Sequence, residues 1–155
     1  MARVLVVDDD ADIRSLLELA LDLHGHVVDS VSGGSPALAA LRGELGEQRP
    51  VVVLDVQMPD LDGWHVLAAI RADVAIRDLP VVLCTVRAGP ADLERGWTTG
   101  CDAYLPKPFD ISTIGALVSD LAGTPPEELR RLREARGWRA PRSQTWSPHL
   151  CDPAR

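Results

Sequence analysis

The chain has 155 residues, of which 46% are apolar and 25% are charged, values typical of one globular domain that needs no disulfide or structural metal. No apolar run approaches the ~20 residues that span a bilayer, and no secretory signal is expected, so a membrane function is excluded. Residues 1–120 hold 19 acids and 9 bases, whereas residues 121–155 hold 4 acids and 7 bases. The acidic body is therefore not expected to bind nucleic acid.

Apolar runs that alternate with helical patterns predict the secondary structure. Strands are expected at 3–8, 27–31, 51–55, 80–85 and 102–105. Helices are expected at 11–24, 35–43, 63–72, 90–99 and from Asp110, as the cap, to about Leu121. For the second helix, the sequence predicts Ser35 as the N-cap and Pro36 at the first helical position. Five strand–helix units in series predict an α/β fold, a doubly wound parallel sheet with helices on both faces.

The predicted strands lead into residues with reactive side chains. Asp8 and Asp9 follow the first strand, Asp55 ends the third, Thr85 ends the fourth and Lys107 follows the fifth. The carboxyl ends of parallel strands meet at one edge of a sheet, so these side chains should converge. Crowded carboxylates repel one another unless a cation intervenes, and an open oxygen site of this kind suits Mg²⁺. The third acid of the run, Asp10, is interpreted instead as a helix cap.

Three cysteines, Cys84, Cys101 and Cys151, show no metal-ligand spacing. Their odd number predicts reduced thiols and a cytoplasmic protein. Cys84 lies inside a predicted strand and is interpreted as a small buried apolar residue.

The motifs are more specific when they are taken together. The segment from Asp55 to Gly63 contains Met-Pro and Asp-Gly pairs at fixed offsets, and it lies between Val6-Val7-Asp8-Asp9 and the run Tyr104-Leu105-Pro106-Lys107-Pro108-Phe109. With Thr85 between these motifs, residues 2–121 resemble the receiver domain of bacterial two-component response regulators. The resemblance implies a flavodoxin-like sheet of five strands in the order 2-1-3-4-5 with five flanking helices.

The resemblance also implies a role for each matching residue. Asp55 would accept a phosphoryl group from a histidine kinase or a phosphotransfer protein. Asp8, Asp9, Asp55 and the backbone carbonyl of Gln57 would hold Mg²⁺. Such a protein catalyses only its own phosphorylation and dephosphorylation and is not otherwise an enzyme.

The remaining residues would convert phosphorylation into a signal. Lys107 would pair with the phosphoryl group, Thr85 would donate its hydroxyl to it, and Tyr104 would turn into the space that Thr85 leaves. Gln57 and Arg87 would tune how fast the phosphoryl group is lost. A downstream protein would bind the surface of the fourth predicted helix (90–99), the fifth strand and the fifth helix, or the phosphoryl group would pass onward in a relay. The Lys107–Pro108 bond would be cis.

Residues 122–155 are expected to form an appendage to a stand-alone receiver. Thr124 and Glu127 fit a capping box for a helix at about 126–136, followed by an irregular tail that contains Trp138 and Trp146. The appendage is either a helix that docks on the receiver or a binding element that uses its Trp and Arg side chains.

Two other function classes remain open. A Mg²⁺-dependent aspartyl-phosphate hydrolase usually has a second acid two positions after the nucleophile, where this chain has Gln57. A phosphorylation-independent scaffold typically lacks one of the acids or the lysine, and all of them are present here.

Overall fold

A computed structural model describes residues 2–140, and this part of the chain contains five strands and seven helices. The strands are β1 Arg3–Val7, β2 Val27–Val31, β3 Val51–Leu54, β4 Val81–Thr85 and β5 Ala103–Pro106. All neighbouring strands pair in parallel, in the order β2-β1-β3-β4-β5, which confirms the predicted fold. None of the helices within residues 2–140 is long and apolar enough to cross a bilayer.

The helices cover both faces of this sheet. They are α1 Ala11–Leu23, α2 Gly34–Leu41, α3 Glu44–Glu47, α4 Gly63–Ala72, α5 Pro90–Thr99, α6 Ile111–Gly123 and α7 Pro126–Ala135. Successive side chains of a strand point to opposite faces, so Val4 and Val6 join α1 and α6 in one core. Leu5 and Val7 join α2 and α4 in the other core.

The strand register explains where the polar residues lie. Val7 of β1 pairs with Leu54 of β3, so the residues that follow them, Asp8 and Asp55, lie side by side at the edge of the sheet. Both aspartates lie just outside their strands, although the sequence pattern predicted them inside. Thr85 pairs with Pro106, which brings Lys107 to the same edge.

Two predicted helix starts are wrong. The helix α2 begins at Gly34 with Gly33 as N-cap, so Ser35 is not the cap and Pro36 is not the first helical residue. The carboxylate of Asp60, from the loop after β3, lies at the start of α2, where a Cβ on Gly33 would lie 3.1 Å from Asp60 Oδ1. Nearby backbone amides, first that of Leu61 and then those of Ser35 and Gly34, lower the pKa of this carboxyl. A contact from a distant part of the chain thus lies where a local cap was predicted. The start of α2 is also tightly packed, because a Cβ on Gly34 would lie 2.7 Å from Val66 Cγ2.

The predicted capping box of α7 is also wrong. Pro125 is the N-cap of α7, and no side chain caps this helix. The Thr124 hydroxyl instead donates to the Asp120 carbonyl at 2.7 Å, where it satisfies the last turn of α6. The four-residue helix α3 was not predicted, since one helical turn is too short to show a periodic pattern. Residues 141–155, with Trp146 and Cys151, lie outside the described residues.

Candidate functional site

The carboxyl edge of the sheet holds three aspartates close together. Oxygen atoms of Asp8, Asp9 and Asp55 all lie within 4.8 Å of one another. Asp8 is 2% exposed and Asp55 7% exposed, whereas Asp9 is open to solvent. The backbone fixes their positions, because the Asp55 N–H donates to the Val7 carbonyl at 2.9 Å and the Asp10 N–H donates to Asp8 Oδ1 at 2.9 Å.

Asp10 itself is separate from this cluster. Its carboxylate accepts hydrogen bonds from the Asp12 amide at 2.9 Å and the Ile13 amide at 3.4 Å, which confirms it as the N-cap of α1. From the same helix, Arg14 donates to the backbone carbonyl of Asp8 at 2.7 Å. Sequence reasoning missed Arg14, because a contact with a backbone carbonyl leaves no side-chain pattern.

Lys107 meets two of the three carboxylates. Its Nζ lies 2.6 Å from Asp8 Oδ2 and 3.3 Å from Asp55 Oδ2, with the lysine side chain 11% exposed. Burial alone would lower the pKa of Lys107, but its hydrogen bond to Asp8 and the charges of Asp55 and Asp8 outweigh burial and raise it. The ammonium is therefore charged at neutral pH. The Lys107–Pro108 peptide bond is cis.

The surroundings of Asp55 raise the pKa of its carboxyl. Burial raises its pKa above the ordinary value, and the negative charge of Asp8 raises it further. Lys107 and the amide of Gln57, which donates to Asp55 Oδ1 at 3.3 Å, oppose this increase only in part. A cation with more than one charge would complete this balance, so the site favours binding of a divalent ion.

The loop after β3 brings the start of α4 close to the backbone of Asp55. A Cβ on Gly63 would lie 2.3 Å from the Asp55 carbonyl oxygen, so only glycine lets the start of α4 approach so closely. Asp62 caps α4 by accepting from the His65 amide at 2.9 Å. The exposed side chains of Gln57 and Arg87 line a cleft of about 340 Å³ together with Asp9, Met58 and Trp64.

Thr85 and Tyr104 lie beside the cluster and are linked through Arg87. Thr85 is fully buried, and its hydroxyl oxygen accepts a hydrogen bond from the Arg87 amide at 3.2 Å. The Tyr104 hydroxyl donates to the Arg87 carbonyl, and burial raises the pKa of Tyr104 to about 12. The Tyr104 ring packs on Gly96 of α5, where a Cβ would lie 2.9 Å from the ring.

The predicted site residues therefore fall into two connected groups. Asp8, Asp9, Asp55 and Lys107 meet directly at the edge of the sheet. Thr85, Arg87 and Tyr104 form the second group. It joins the first group through the backbone, since the Lys107 N–H donates to the Thr85 carbonyl at 2.9 Å. Hard carboxylate oxygens at short mutual distance, one of them facing solvent, fit the donor set that Mg²⁺ prefers.

Comparisons with known proteins agree with this geometry. A family model described as the response regulator receiver domain matches residues 4–119. The transcriptional regulatory protein PrrA of Mycobacterium tuberculosis is 41% identical over 120 residues, which are 77% of this chain and 49% of that protein. The chain spans about half the length of the curated relatives it matches.

Solved structures show the same fold. The chemotaxis response regulator CheY4 of Vibrio cholerae superposes with a TM-score of 0.70 at 29% identity, over 78% of this chain and 98% of that chain. A structure described as the BeF3-activated DrrB receiver domain gives 0.69 at 27% identity, over 80% of this chain and 99% of that one. The family match ends at residue 119, before α7 begins at Pro126.

Proposed function

The chain belongs to the response regulator receiver domain family of two-component systems, and on that premise we propose that Asp55 accepts a phosphoryl group from a histidine kinase or phosphotransfer protein. One observation carries the proposal: Asp55 is buried against Lys107 yet lies within 4.8 Å of the exposed Asp9, beside an open cleft. We assign this function to residues 2–121 and treat residues 122–155 as an appendage to it. The family is not one of ordinary enzymes, and the chemistry we propose acts on the chain itself.

The acid cluster would hold Mg²⁺ through Asp8, Asp9, Asp55 and the backbone carbonyl of Gln57. The ion supplies positive charge that screens the carboxylates from one another and from the incoming phosphoryl oxygens. The Asp8 carboxylate has a second role, because its hydrogen bond at 2.6 Å holds the Lys107 ammonium beside Asp55.

The transfer step needs little covalent chemistry from the protein. A carboxylate oxygen of Asp55 bonds to phosphorus while the bond from phosphorus to the donor imidazole nitrogen breaks, and the imidazole leaves with that electron pair. Lys107 pairs with the phosphoryl oxygens as charge accumulates on them. The product is an acyl phosphate, which water can hydrolyse, and Gln57 and Arg87 stand at the cleft through which that water would pass.

The switch would use the second group of residues. Thr85 would leave its bond with the Arg87 amide and donate its hydroxyl to the phosphoryl group, and Tyr104 would follow it inward. These movements would alter the surface of α5, β5 and α6, where we place the downstream partner. This is a population shift between two arrangements of one element.

We also propose that the protein acts in the cytoplasm. Cys84 and Cys101 are free cysteines within the described residues, which suits a reducing compartment. The chain matches only 43% and 49% of two curated relatives that are described as transcriptional regulators. We therefore do not extend DNA binding from those relatives to this chain.

The test is incubation with acetyl phosphate or phosphoramidate and Mg²⁺, followed by intact mass. We expect the mass of one phosphoryl group to be added to the wild type, and none to be added to Asp55→Asn or after removal of Mg²⁺ with EDTA. An Asp120→Asn variant, which alters an exposed acid near the end of α6 and outside the cluster, serves as the matched control and should be labelled like the wild type. A wild type that stays unlabelled would contradict the proposal and favour the scaffold hypothesis.

A further inference from the structure

The helix α7 lies at the amino edge of the sheet, where β4 and β5 begin, on the side opposite the acid cluster. Leu129 is 3% exposed and packs into the core that α1 and α6 form. Arg133 is fully buried, and its Nε donates to Asp102 Oδ1 at 2.7 Å. Asp102 also accepts from Arg71 of α4, at 2.8 Å from Nη2 to Oδ2. One buried carboxylate thus joins α4, the start of β5 and α7.

Residues just after α7 contact the last turn of α5. The Arg136 guanidinium stacks over the Trp97 ring, 4.8 Å from its centroid, and Arg136 Nη1 donates to the Asp102 carbonyl at 3.0 Å. The Trp138 side chain is 4% exposed and packs on Gly100, where a Cβ would lie 2.8 Å from Trp138 Cδ1. The carboxyl end of α5 is therefore held by residues that follow the family match.

The switch residues contact the rest of α5. Tyr104 packs on Gly96 in the middle of the helix, and the loop that contains Arg87 leads into its first turn at Pro90. A movement of Thr85 and Tyr104 that shifts α5 must therefore act against the contacts that Arg136 and Trp138 make at its far end. Contacts that exist in one arrangement and weaken in the other favour the first.

We propose that α7 and residues 136–138 form a clamp on α5 that stabilises the arrangement in which the Thr85 hydroxyl bonds to the Arg87 amide. The clamp rests on the proposed function, because it opposes the shift that phosphorylation of Asp55 would drive. Coupling of this kind is reciprocal, so occupation of the phosphoryl site must in turn weaken the docking of α7. The signal would then reach the segment after α7 as well as the surface of α5, β5 and α6.

The first test measures the affinity for beryllofluoride, a phosphoryl mimic, in the presence of Mg²⁺. Arg136→Ala removes an exposed side chain that stacks on α5, and we expect it to bind beryllofluoride about two- to fivefold more tightly than the wild type does. Arg131→Ala is the matched control, since Arg131 is an exposed arginine of α7 whose side chain makes no ion pair or hydrogen bond with the described residues. Its affinity should equal that of the wild type.

The outcomes separate the two proposals. Equal or weaker binding by Arg136→Ala, with a wild type that binds and an Asp55→Asn variant that does not, would overturn the clamp alone. A wild type that binds no better than Asp55→Asn would overturn the proposed function and the clamp with it.

The second test measures the reciprocal effect by hydrogen exchange. The Trp138 amide donates to the Arg133 carbonyl at 3.1 Å and reports whether the end of α7 is closed. We expect this amide to exchange faster when beryllofluoride and Mg²⁺ are bound, while the Val118 amide within α6 keeps its rate. Unchanged exchange at Trp138 under saturating beryllofluoride would contradict the clamp.

Discussion

The two edges of the sheet both place basic side chains against buried aspartates, but their charges balance differently. At the carboxyl edge, the carboxylates of Asp8, Asp9 and Asp55 cluster together, and the single ammonium of Lys107 contacts two of them, Asp8 and Asp55. At the amino edge, the guanidinium groups of Arg71 and Arg133 share the single carboxylate of Asp102. The first cluster has an excess of negative charge and faces a cleft, whereas the second is sealed from solvent.

The amino edge pairs most of its excess donors within the protein, although Arg133 Nη1 is buried without a hydrogen-bond partner among the described residues. Arg71 donates to the carbonyls of Gly100, Arg77 and Leu79 at 2.6–2.7 Å, so its guanidinium is surrounded by oxygen atoms. No comparable protein partner compensates the excess carboxylates of the carboxyl edge within the described residues. A cluster whose polar groups are mostly hydrogen-bonded within the protein supports the fold, and one that leaves an excess of carboxylates beside a cleft is suited to bind a ligand.

The largest difference is expected when the same substitution is made at each edge. Asp102→Asn leaves two buried guanidinium groups without a charged partner and should lower the free energy of unfolding by about 3–5 kcal/mol. Asp8→Asn should change it by less than about 1 kcal/mol, because Lys107 keeps Asp55 and a like charge beside Asp55 is removed. Urea unfolding of both variants measures the difference. Equal losses would show that the two clusters serve the fold alike.

The second prediction concerns binding at the carboxyl edge. Asp9→Asn removes an exposed carboxylate that no described base neutralises, so the fold should keep its stability while Mg²⁺ binding weakens about tenfold or more. Titration with Mg²⁺, followed by calorimetry, measures the affinity. Asp12→Asn, an exposed acid in the first turn of α1, is the control and should bind Mg²⁺ like the wild type. Unaltered affinity in Asp9→Asn would remove Asp9 from the metal site.

The third prediction is a pH dependence that only the carboxyl edge should show. Asp55 has a pKa above 3.8 in the folded protein because of burial, so its ionised form is disfavoured by folding. Its contribution to stability is present at low pH and is lost as the pH rises through the raised pKa. Asp55→Asn should therefore be more stable than the wild type at pH 7, and this advantage should shrink as the pH falls toward 4.

Mg²⁺ gives the complementary measurement. It requires the ionised carboxylate, so it should raise the thermal midpoint of the wild type at pH 7 and have less effect as the pH falls. Asp102→Asn should respond to Mg²⁺ as the wild type does, since it alters the other edge. A stabilisation by Mg²⁺ that did not depend on pH would contradict the role of Asp55.

The sequence predicted one edge far better than the other, for a physical reason. Asp8, Asp55 and Lys107 each stand directly after an apolar run, so strand order alone brings them together. Arg133 lies among other charged residues of α7, and Arg71 lies in the last turn of α4, so both look like solvent-exposed side chains. Their burial depends on how α7 docks, which no local pattern encodes.

The start of α2 shows the same contrast between a local sequence pattern and a contact that depends on the fold. Substitutions there should change stability least among those predicted. Ser35 has the local pattern of a cap, but the carboxylate that lies beside the start of α2 is that of Asp60, from another part of the fold. Asp60→Ala should lower the thermal midpoint measurably, whereas Ser35→Ala should leave it unchanged. The amide of Leu61, and to a smaller extent those of Ser35 and Gly34, lower the pKa of Asp60, so the difference between the wild type and Asp60→Ala should persist at neutral pH and disappear as the pH falls through that pKa. A larger loss from Ser35→Ala would restore the local cap that the sequence suggested.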